Sequence, residues 1–501
     1  MSYKSTALIL LSAFVIGGTG CKKQLNQPIL GVYTPDNYFT TDANAQFAVD
    51  AAYSPLMFIS ATNNPMWVVG DVASDDALKG GDPGDQADFN AINQFNILPS
   101  NAAVEAVWGN YYDGVFKSNV VLDGLTNNTI VSDPVKRVCI AQAKFLRAYY
   151  YFILTTSYGN IPLHLKVASP AELQSPVVAQ DTIYAQIEKD LNDALVDLPA
   201  PATTVALGMV TKGSAYALLA KVYLFHADLA NHYQLSAAAA QNVLSYNYAL
   251  TPLFSDNFNS ATKNNTEAVF TVNHLSGGQP NDVETFCTPR SVGGWGFFYP
   301  TAGLANNYEK APTGEVDPRL NYTVGSAGSP YYDLGWDPSW TTTGYLCKKW
   351  VQPLSVIPQN YRGQGNLNYE VIRYSEVLLT LAESLNESGQ SALALAPLNQ
   401  VRKRARESYL HDPSLPGYGT IPAGLLPDIA TVDQGQLRDA IRRERRNELA
   451  LEFHRFYDII RYGSAYANTV LKAVSPNFDY NKNKWYPIPQ SERDTNKKLG
   501  L

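Results

Sequence analysis

Apolar side chains recur at three- and four-residue steps through Ala43–Ile59, Val104–Leu125, Val135–Ser157, Asp181–Leu198, Thr211–Ala230 and Ser236–Ser245, and each stretch therefore predicts a helix with one buried face. Proline-rich joints separate them, as expected of a residue that removes a backbone donor and crowds the preceding turn. Two segments, A-Q-A-K-F-L-R-A-Y-Y-Y-F from Ala141 and G-S-A-Y-A-L-L-A-K-V-Y-L-F-H-A from Gly213, alternate small and large side chains on adjacent faces. Such faces let helices approach closely.

From Asn273 to Gly365 the helical period gives way to turn and strand composition, with S-G-G-Q-P-N-D, S-V-G-G-W-G-F-F-Y-P-T, G-S-A-G-S-P-Y-Y-D, G-W-D-P-S-W and T-T-T-G-Y in succession. Helical patterning resumes over Asn368–Glu387, Ser391–Glu407 and Asp433–Arg461. The pattern predicts a mostly α fold of tetratricopeptide-like helix pairs forming a scaffold, interrupted by a loop-rich, aromatic-rich insertion, although no clean repeat period runs through the chain.

The run from Arg438 to Arg461 changes what the charge means. Its arginines would suit a phosphate backbone, but Asp439, Glu444, Glu448, Glu452 and Asp458 alternate with them and cancel that field. The apolar stripe Leu449, Phe453, Phe456, Ile460 continues backwards onto Arg442, Arg445 and Arg446, so these arginines face a core and require partners. Glu376 and Glu383, on one face of a helix preceded by Arg373, are the predicted partners, and the pairs are expected to fasten the C-terminal helices. A net charge of −7 and a pI near 5.5 agree that nucleic acid is not a partner.

At the N-terminus, Lys4 precedes the apolar run Ala7–Ile16, too short to span a bilayer but suited to the core of a secretory signal. Gly18, Thr19 and Gly20 then lead to Cys21, the arrangement of a bacterial lipoprotein cleavage site in which the cysteine becomes the acylated N-terminus; an ordinary signal peptide with an incidental cysteine is the alternative. Cys139, Cys287 and Cys347 remain, with no CxxC site among them. Cys139 reads as a small buried hydrophobe, while Cys287 and Cys347 are left open as a pair in an oxidising envelope. No HExxH pair, phosphate loop or G-x-S-x-G elbow is present, and no cofactor or metal is expected.

Four motifs together carry a resemblance. E-V-I-R-Y-S-E-V-L-L-T-L-A-E-S-L-N-E-S-G from Glu370, L-N-Q-V-R-K-R-A-R from Leu398, R-R-N-E-L-A-L-E-F-H-R-F-Y-D-I-I-R-Y-G from Arg445 and W-Y-P-I-P-Q-S-E from Trp485 resemble the SusD/RagB family, and A-K-F-L-R-A-Y-Y-Y-F followed by Y-G-N-I-P-L extends the likeness over nearly all of the mature chain. The resemblance implies a signal peptide over residues 1–20, an N-terminal helical domain over 21–270 and a C-terminal domain over 271–501 that contains a ligand region at 273–365. It further implies a non-catalytic, cell-surface outer-membrane lipoprotein, anchored through Cys21, that binds oligosaccharide or polysaccharide, or in some members peptide, and serves a SusC-like TonB-dependent transporter in nutrient uptake. Lys22 and Lys23 depart from the acidic residues that such surface lipoproteins often carry after the cysteine.

The chain holds 32 Tyr and 7 Trp, more than a core of this size needs. A pyranose offers an apolar C–H face and a rim of hydroxyls, which flat aromatics and nearby polar groups can meet. Trp67 with Asp71 and Asp75 in an early loop, and Trp295, Phe298, Tyr299, Tyr331, Trp336 and Trp340 in the later one, are the expected ligand-binding residues; Gly293, Gly294 and Gly296 point to exposure of Trp295. Asp71, Asp75, Asp76, Asp82, Asp85 and Asp88 leave two other readings, a carboxylate pair for an envelope-anchored glycosidase and a weak calcium site, neither with a supporting motif.

Overall fold

The computed structural model describes residues 35–500 apart from 203, 330, 354 and 357–364. The expected signal segment, Cys21 and the Lys22–Lys23 pair lie outside the described residues.

Helices α1 (Asp42–Tyr53), α2 (Ala87–Asn93), α3 (Ala102–Leu125), α4 (Asp133–Tyr158), α5 (Gln180–Asp197), α6 (Lys212–Phe225) and α7 (His232–Val243) occupy the first half. Their starts follow local chemistry: Asn101 accepts from the Ala103 and Val104 N–H groups ahead of α3, and Thr211 with Ser214 forms a capping box on α6. Successive helices pack on one another, α3 on α4, α4 on α5 and α6 on α7. After the insertion, α8 (Tyr374–Glu387), α9 (Ser391–His411), α10 (Gln434–Leu449), α11 (Arg455–Arg461) and α12 (Ser464–Val474) complete the chain, and α8 returns against α7, α9 and α10. The tetratricopeptide-like array thus starts, is interrupted and finishes, around one main core cluster that runs from Ala52 to Leu499.

Strands are short and pair two by two, all antiparallel: β1 (Ala77–Gly80) with β5 (Phe297–Pro300), β2 (Ile161–Pro162) with β3 (Val177–Val178), β4 (Ala268–Val272) with β8 (Tyr369–Arg373), and β6 (Val324–Gly325) with β7 (Leu346–Cys347). Two of the expected helices are corrected by the structure. The helix expected from Asn368 begins only at Tyr374, because Tyr369–Arg373 pairs with β4 and gains a ladder that a helix could not use. The single helix expected over Asp433–Arg461 is two helices, broken where Leu451 and Phe453 take left-handed φ values of 63° and 70°.

The break is held from outside. The Phe453 N–H donates to Asp71 Oδ2 at 2.7 Å, Lys349 Nζ donates to the Ala450 carbonyl at 2.8 Å, and the Trp350 indole donates to the Leu451 carbonyl at 2.6 Å. Gly70 lies against this segment so tightly that a Cβ there would sit 2.3 Å from the Phe453 carbonyl oxygen, which admits glycine alone.

The core-facing arginines are partnered, with reassignments. Arg445 pairs with Glu376 at 2.9 Å and with Asp458 at 2.7 Å, as a C-terminal clamp requires. Arg446 instead reaches Asp76 at 2.6 Å and Asp75 at 2.8 Å, Glu383 is taken by Arg461, and Arg442 stacks on Tyr462 with its guanidinium 4.1 Å from the ring centroid. Arg373, at the end of β8, joins Glu452 at 2.7 Å, Glu448 at 3.0 Å and Glu267 at 3.2 Å, and all four side chains are fully or almost fully buried. Burial tends to raise Glu376, but Lys221, His454 and Arg445 overcome it and hold the carboxyl down to about 2.

Removing one member of such a set leaves buried charge unpaired. Arg373→Met is expected to lower stability by about 3–5 kcal/mol in urea unfolding, whereas Arg137→Met, which breaks an exposed pair with Asp197, costs less than about 1 kcal/mol. Equal midpoint shifts for the two variants would refute the assignment.

Glu284, on the short helix Val283–Cys287, is fully buried with Oε1 accepting the Leu367 N–H at 2.6 Å, and burial pushes its carboxyl up to about 8 against those backbone donors. A folded-state value raised above the unfolded one contributes stability below the unfolded pKa and loses it as pH rises to about 8, at no more than about 1.4 kcal/mol per pH unit. Glu284→Gln keeps the acceptor and removes the proton, so the variant should gain on the wild type between pH 5 and 8 in paired urea titrations. Parallel profiles would show that Glu284 does not stay protonated in the fold.

Candidate functional site

β5 and the turns that follow it gather the aromatic side chains of the insertion. Tyr299, paired across to Leu78 of β1, donates its hydroxyl to the Trp340 carbonyl at 2.8 Å and so ties β5 to the turn Pro338–Trp340. Trp336 and Trp340 are half-buried and adjacent, ring centroids 6.5 Å apart and planes at 66°. Tyr331 backs Trp340 from inside at 6.3 Å. Asp337, exposed between the two indoles, fixes the turn by accepting the Ser339 N–H, and Thr341 and Thr343 bond to each other beside it. The result is a bent aromatic shelf with hydroxyl and carboxylate groups along its rim.

Trp295 forms a second, half-buried element of this neighbourhood. Its N–H donates to the Thr285 carbonyl at 2.9 Å and its ring lies 6.3 Å from Phe286. Gly293, Gly294 and Gly296 are required by the backbone here: Gly293 and Gly296 have φ of 99° and 66°, and a Cβ on Gly294 would lie 2.1 Å from the Thr288 carbonyl oxygen. Arg290 closes the turn, donating to the Trp295 carbonyl at 3.1 Å and pairing with Asp82 at 2.8 Å and with Asp85. Lys79 donates to the carbonyls of Asp82 and Asp85. The charge of Arg290 is therefore matched by Asp82 and Asp85.

The expected ligand set divides. Tyr299, Trp336 and Trp340 come together in this region while Trp295 packs on Phe286, and Tyr299 is mostly covered at 7% exposure. Phe298 and Tyr331 are fully buried and are supports of the shelf. Trp67 is likewise in the core, its indole N–H donated to the Ala61 carbonyl at 3.1 Å and its ring 5.5 Å from Phe298, while Asp71 is bound to the Phe453 and Arg455 N–H groups and Asp75 to Arg455 at 2.8 Å. What reads as a ligand loop at Trp67–Asp75 is an irregular helical turn, Val68–Val72, that holds the α10–α11 break.

The acidic residues disperse in the same way. Asp75 and Asp76 meet Arg446, Asp82 and Asp85 meet Arg290, and Asp88 accepts the Ala102 N–H at 3.0 Å. Among the described residues no group of His, Cys, Asp and Glu is arranged to hold a metal ion. Arg290, Tyr332 and Tyr345 belong to the region but were not foreseen; only the density of turn residues around them pointed there.

Comparison with known proteins then decides the family. Residues 252–500 match the model described as the SusD family, and residues 35–224 match one described as starch-binding associating with outer membrane. The chain belongs to the SusD family. It is similar to SusD-like protein P2 of Formosa agariphila, 28% identical with 99% of this chain and 98% of the relative covered. Among solved structures it is similar to a laminarin binding SusD-like protein, 26% identical at a TM-score of 0.75 with 92% and 99% covered. Surface glycan-binding protein A from Bacteroides thetaiotaomicron, solved in complex with laminarihexaose, is 25% identical at a TM-score of 0.75 with 92% and 98% covered. The SusD fold thus accounts for both the interrupted array and the insertion.

The two classes of tryptophan are separable by stability. Trp67→Ala is expected to cost about 3–5 kcal/mol through the cavity it opens, and Trp336→Ala about 1 kcal/mol or less. Chemical denaturation of the two variants checks this, and a Trp336 variant as damaged as the Trp67 one would place Trp336 in the core.

Proposed function

We propose that this SusD-family chain is a surface lipoprotein that captures a neutral oligosaccharide on the Trp336–Trp340 shelf and delivers it to a SusC-like TonB-dependent transporter of the outer membrane. The shelf carries the reading: two indoles held at a fixed angle, backed by Tyr331 and Tyr299, offer apolar platforms whose side-chain entropy is already lost before ligand arrives. The angle between the indole planes favours a chain that turns between successive sugars over a flat, extended one, and the matched charge of Arg290 with Asp82 and Asp85 favours a neutral ligand over a uronic acid. The laminarin and laminarihexaose named for two structural relatives make a β-glucan the first ligand to test.

The anchor in this reading is Cys21, acylated after removal of residues 1–20, with the helical domain over 21–270 as scaffold and the ligand region at 273–365 presented outward. Capture is by contact and exchange. Asp82 and Asp85 are both engaged by Arg290, which supports holding over hydrolysis.

In affinity gels the protein should be retarded by laminarin, and Trp336→Ala or Trp340→Ala should weaken binding at least tenfold, about 1.4 kcal/mol, without loss of fold. Release of reducing ends by the purified protein would overturn the reading in favour of a glycosidase. Retention on an immobilised peptide library with none on any glycan would move the same shelf to peptide capture.

A further inference from the structure

We propose that a cleft between α3, the loop joining β2 to β3 and the short helix Gln490–Thr495 is a second binding site, one that takes one or two units of a neutral saccharide. None of its three walls belongs to the aromatic insertion, so the proposal stands apart from the shelf and from what the shelf binds.

The site begins with a stripe on one helix. Trp108, Tyr112 and Phe116 follow one another at four-residue steps along α3 and line a cavity of about 440 Å³. That volume lies within the range of small-molecule sites, about 300–1,000 Å³. Phe116, 50% exposed, and Leu173 across from it leave apolar surface in water at the rim.

The walls are fixed before any ligand arrives. The buried Asn119 amide donates to the His164 carbonyl at 3.0 Å and to the Lys166 carbonyl at 3.2 Å. Arg147 donates to Asn119 Oδ1 at 2.9 Å and to the Leu165 carbonyl at 3.1 Å, and Asp123 accepts the Val167 N–H at 2.7 Å. Asn496, which ends the C-terminal helix, donates to the Ser175 carbonyl of the same loop at 2.9 Å. Binding therefore requires little ordering of the protein.

Polar groups in the cleft stand ready for hydroxyls. Trp108 is 6% exposed, and its indole N–H is neither bonded to a described residue nor sealed from solvent, so the uncovered part of the ring includes a donor with no acceptor. The His164 ring, 6.1 Å from Tyr112, likewise bonds to no described residue, and burial holds it below its usual value, leaving a neutral imidazole with one donor and one acceptor. Glu492 accepts from Asn496 at 2.9 Å and has no cationic partner among the described residues, whereas Lys166 is tied to Glu172 at 2.7 Å. The charge left over is negative and disfavours a uronic acid. A purely apolar ligand would cover the rings and leave the Trp108 N–H and the imidazole unpaired, at a cost in free energy. A pyranose, with C–H faces for the aromatic wall and hydroxyls for the donors and acceptors, satisfies both.

The test uses the full mature chain carrying Trp336→Ala and Trp340→Ala, which silences the shelf, with isotope-labelled indole nitrogens read by NMR. The Trp108 resonance is assigned with Trp108→Phe. Laminaribiose, cellobiose, maltose or xylobiose is expected to shift that resonance saturably, Phe116→Ala to weaken the midpoint at least about fivefold, and glucuronic acid to leave the resonance in place. Leu173→Ala, at another exposed position, serves in place of Phe116→Ala if that variant does not fold. No saturable shift with any of these sugars overturns the proposal, as does a midpoint that the variant leaves unchanged or an equal response to glucuronic acid. A shift produced by a short aromatic peptide and by none of the sugars assigns the cleft to polypeptide, and one that follows protein concentration alone assigns it to a second copy of the chain; either overturns the proposal.

Discussion

A charge taken out of water must be met, and in this molecule that constraint organises the chain. Glu448 of α10 is the meeting point: Arg319 from the insertion reaches it at 3.0 Å, Arg373 from β8 at 3.0 Å, and Arg404 from α9 also binds it, all with fully or almost fully buried side chains. Arg319 is held in turn by Asp317 and Glu444, and Arg373 by Glu452, which also binds Lys349 beyond β7. None of these groups tolerates a rotation that leaves a neighbour unpaired, because the desolvation cost of one bare charge exceeds what any surface contact returns. The network therefore sets geometry more than net stability. It joins helix, strand and insertion at one depth in the fold, and Arg319 and Lys349 fasten the insertion carrying the aromatic shelf to α10 and the segment after it, in addition to the pairing of β5 with β1.

A related constraint, that a buried polar group must keep its hydrogen bonds, explains the interruption between α10 and α11. Continuing the helix through Leu451 and Phe453 would save local strain, yet it would withdraw the Phe453 N–H from Asp71 and the Ala450 carbonyl from Lys349. Asp71 is buried, and burial raises its carboxyl to about 8 even with the Phe453 N–H opposing it. Loss of these donors would strand it. Tertiary hydrogen bonds thus override a helical pattern that is unbroken in the sequence, and they join the first third of the chain to its last.

Legibility followed the range of the interaction. Helix α3, expected over Val104–Leu125 and observed over Ala102–Leu125, and the start of α6 beside its Thr211 cap could be read almost to the residue, whereas the end of α6, expected at Ala230, falls at Phe225. The paired state of Arg445 was readable from its place on an apolar stripe, since burial alone demanded a partner. Which carboxylate it would meet was not, and Arg446 went to Asp75 and Asp76, more than three hundred residues away in sequence. Tyr369–Arg373 failed for the complementary reason: its apolar run suits strand and helix alike, and only the distant β4 selects between them.

The aromatic residues show the limit most sharply. Trp67 and Trp336 stand in similar company, each near aspartates and small residues, and composition gives no ground for separating them. What separates them is which side of the backbone has core behind it. Trp67 precedes a turn whose every side chain is buried, so its indole must find a partner inside and takes the Ala61 carbonyl. Trp336 lies between two short turns with exposed Asp337, Pro338 and Ser339 ahead of it, and its ring is half-buried, packed against the main core and edge-on to Trp340. The difference between a covered ring and a half-covered one is thus set by what is packed around it and not by the residues beside it in sequence.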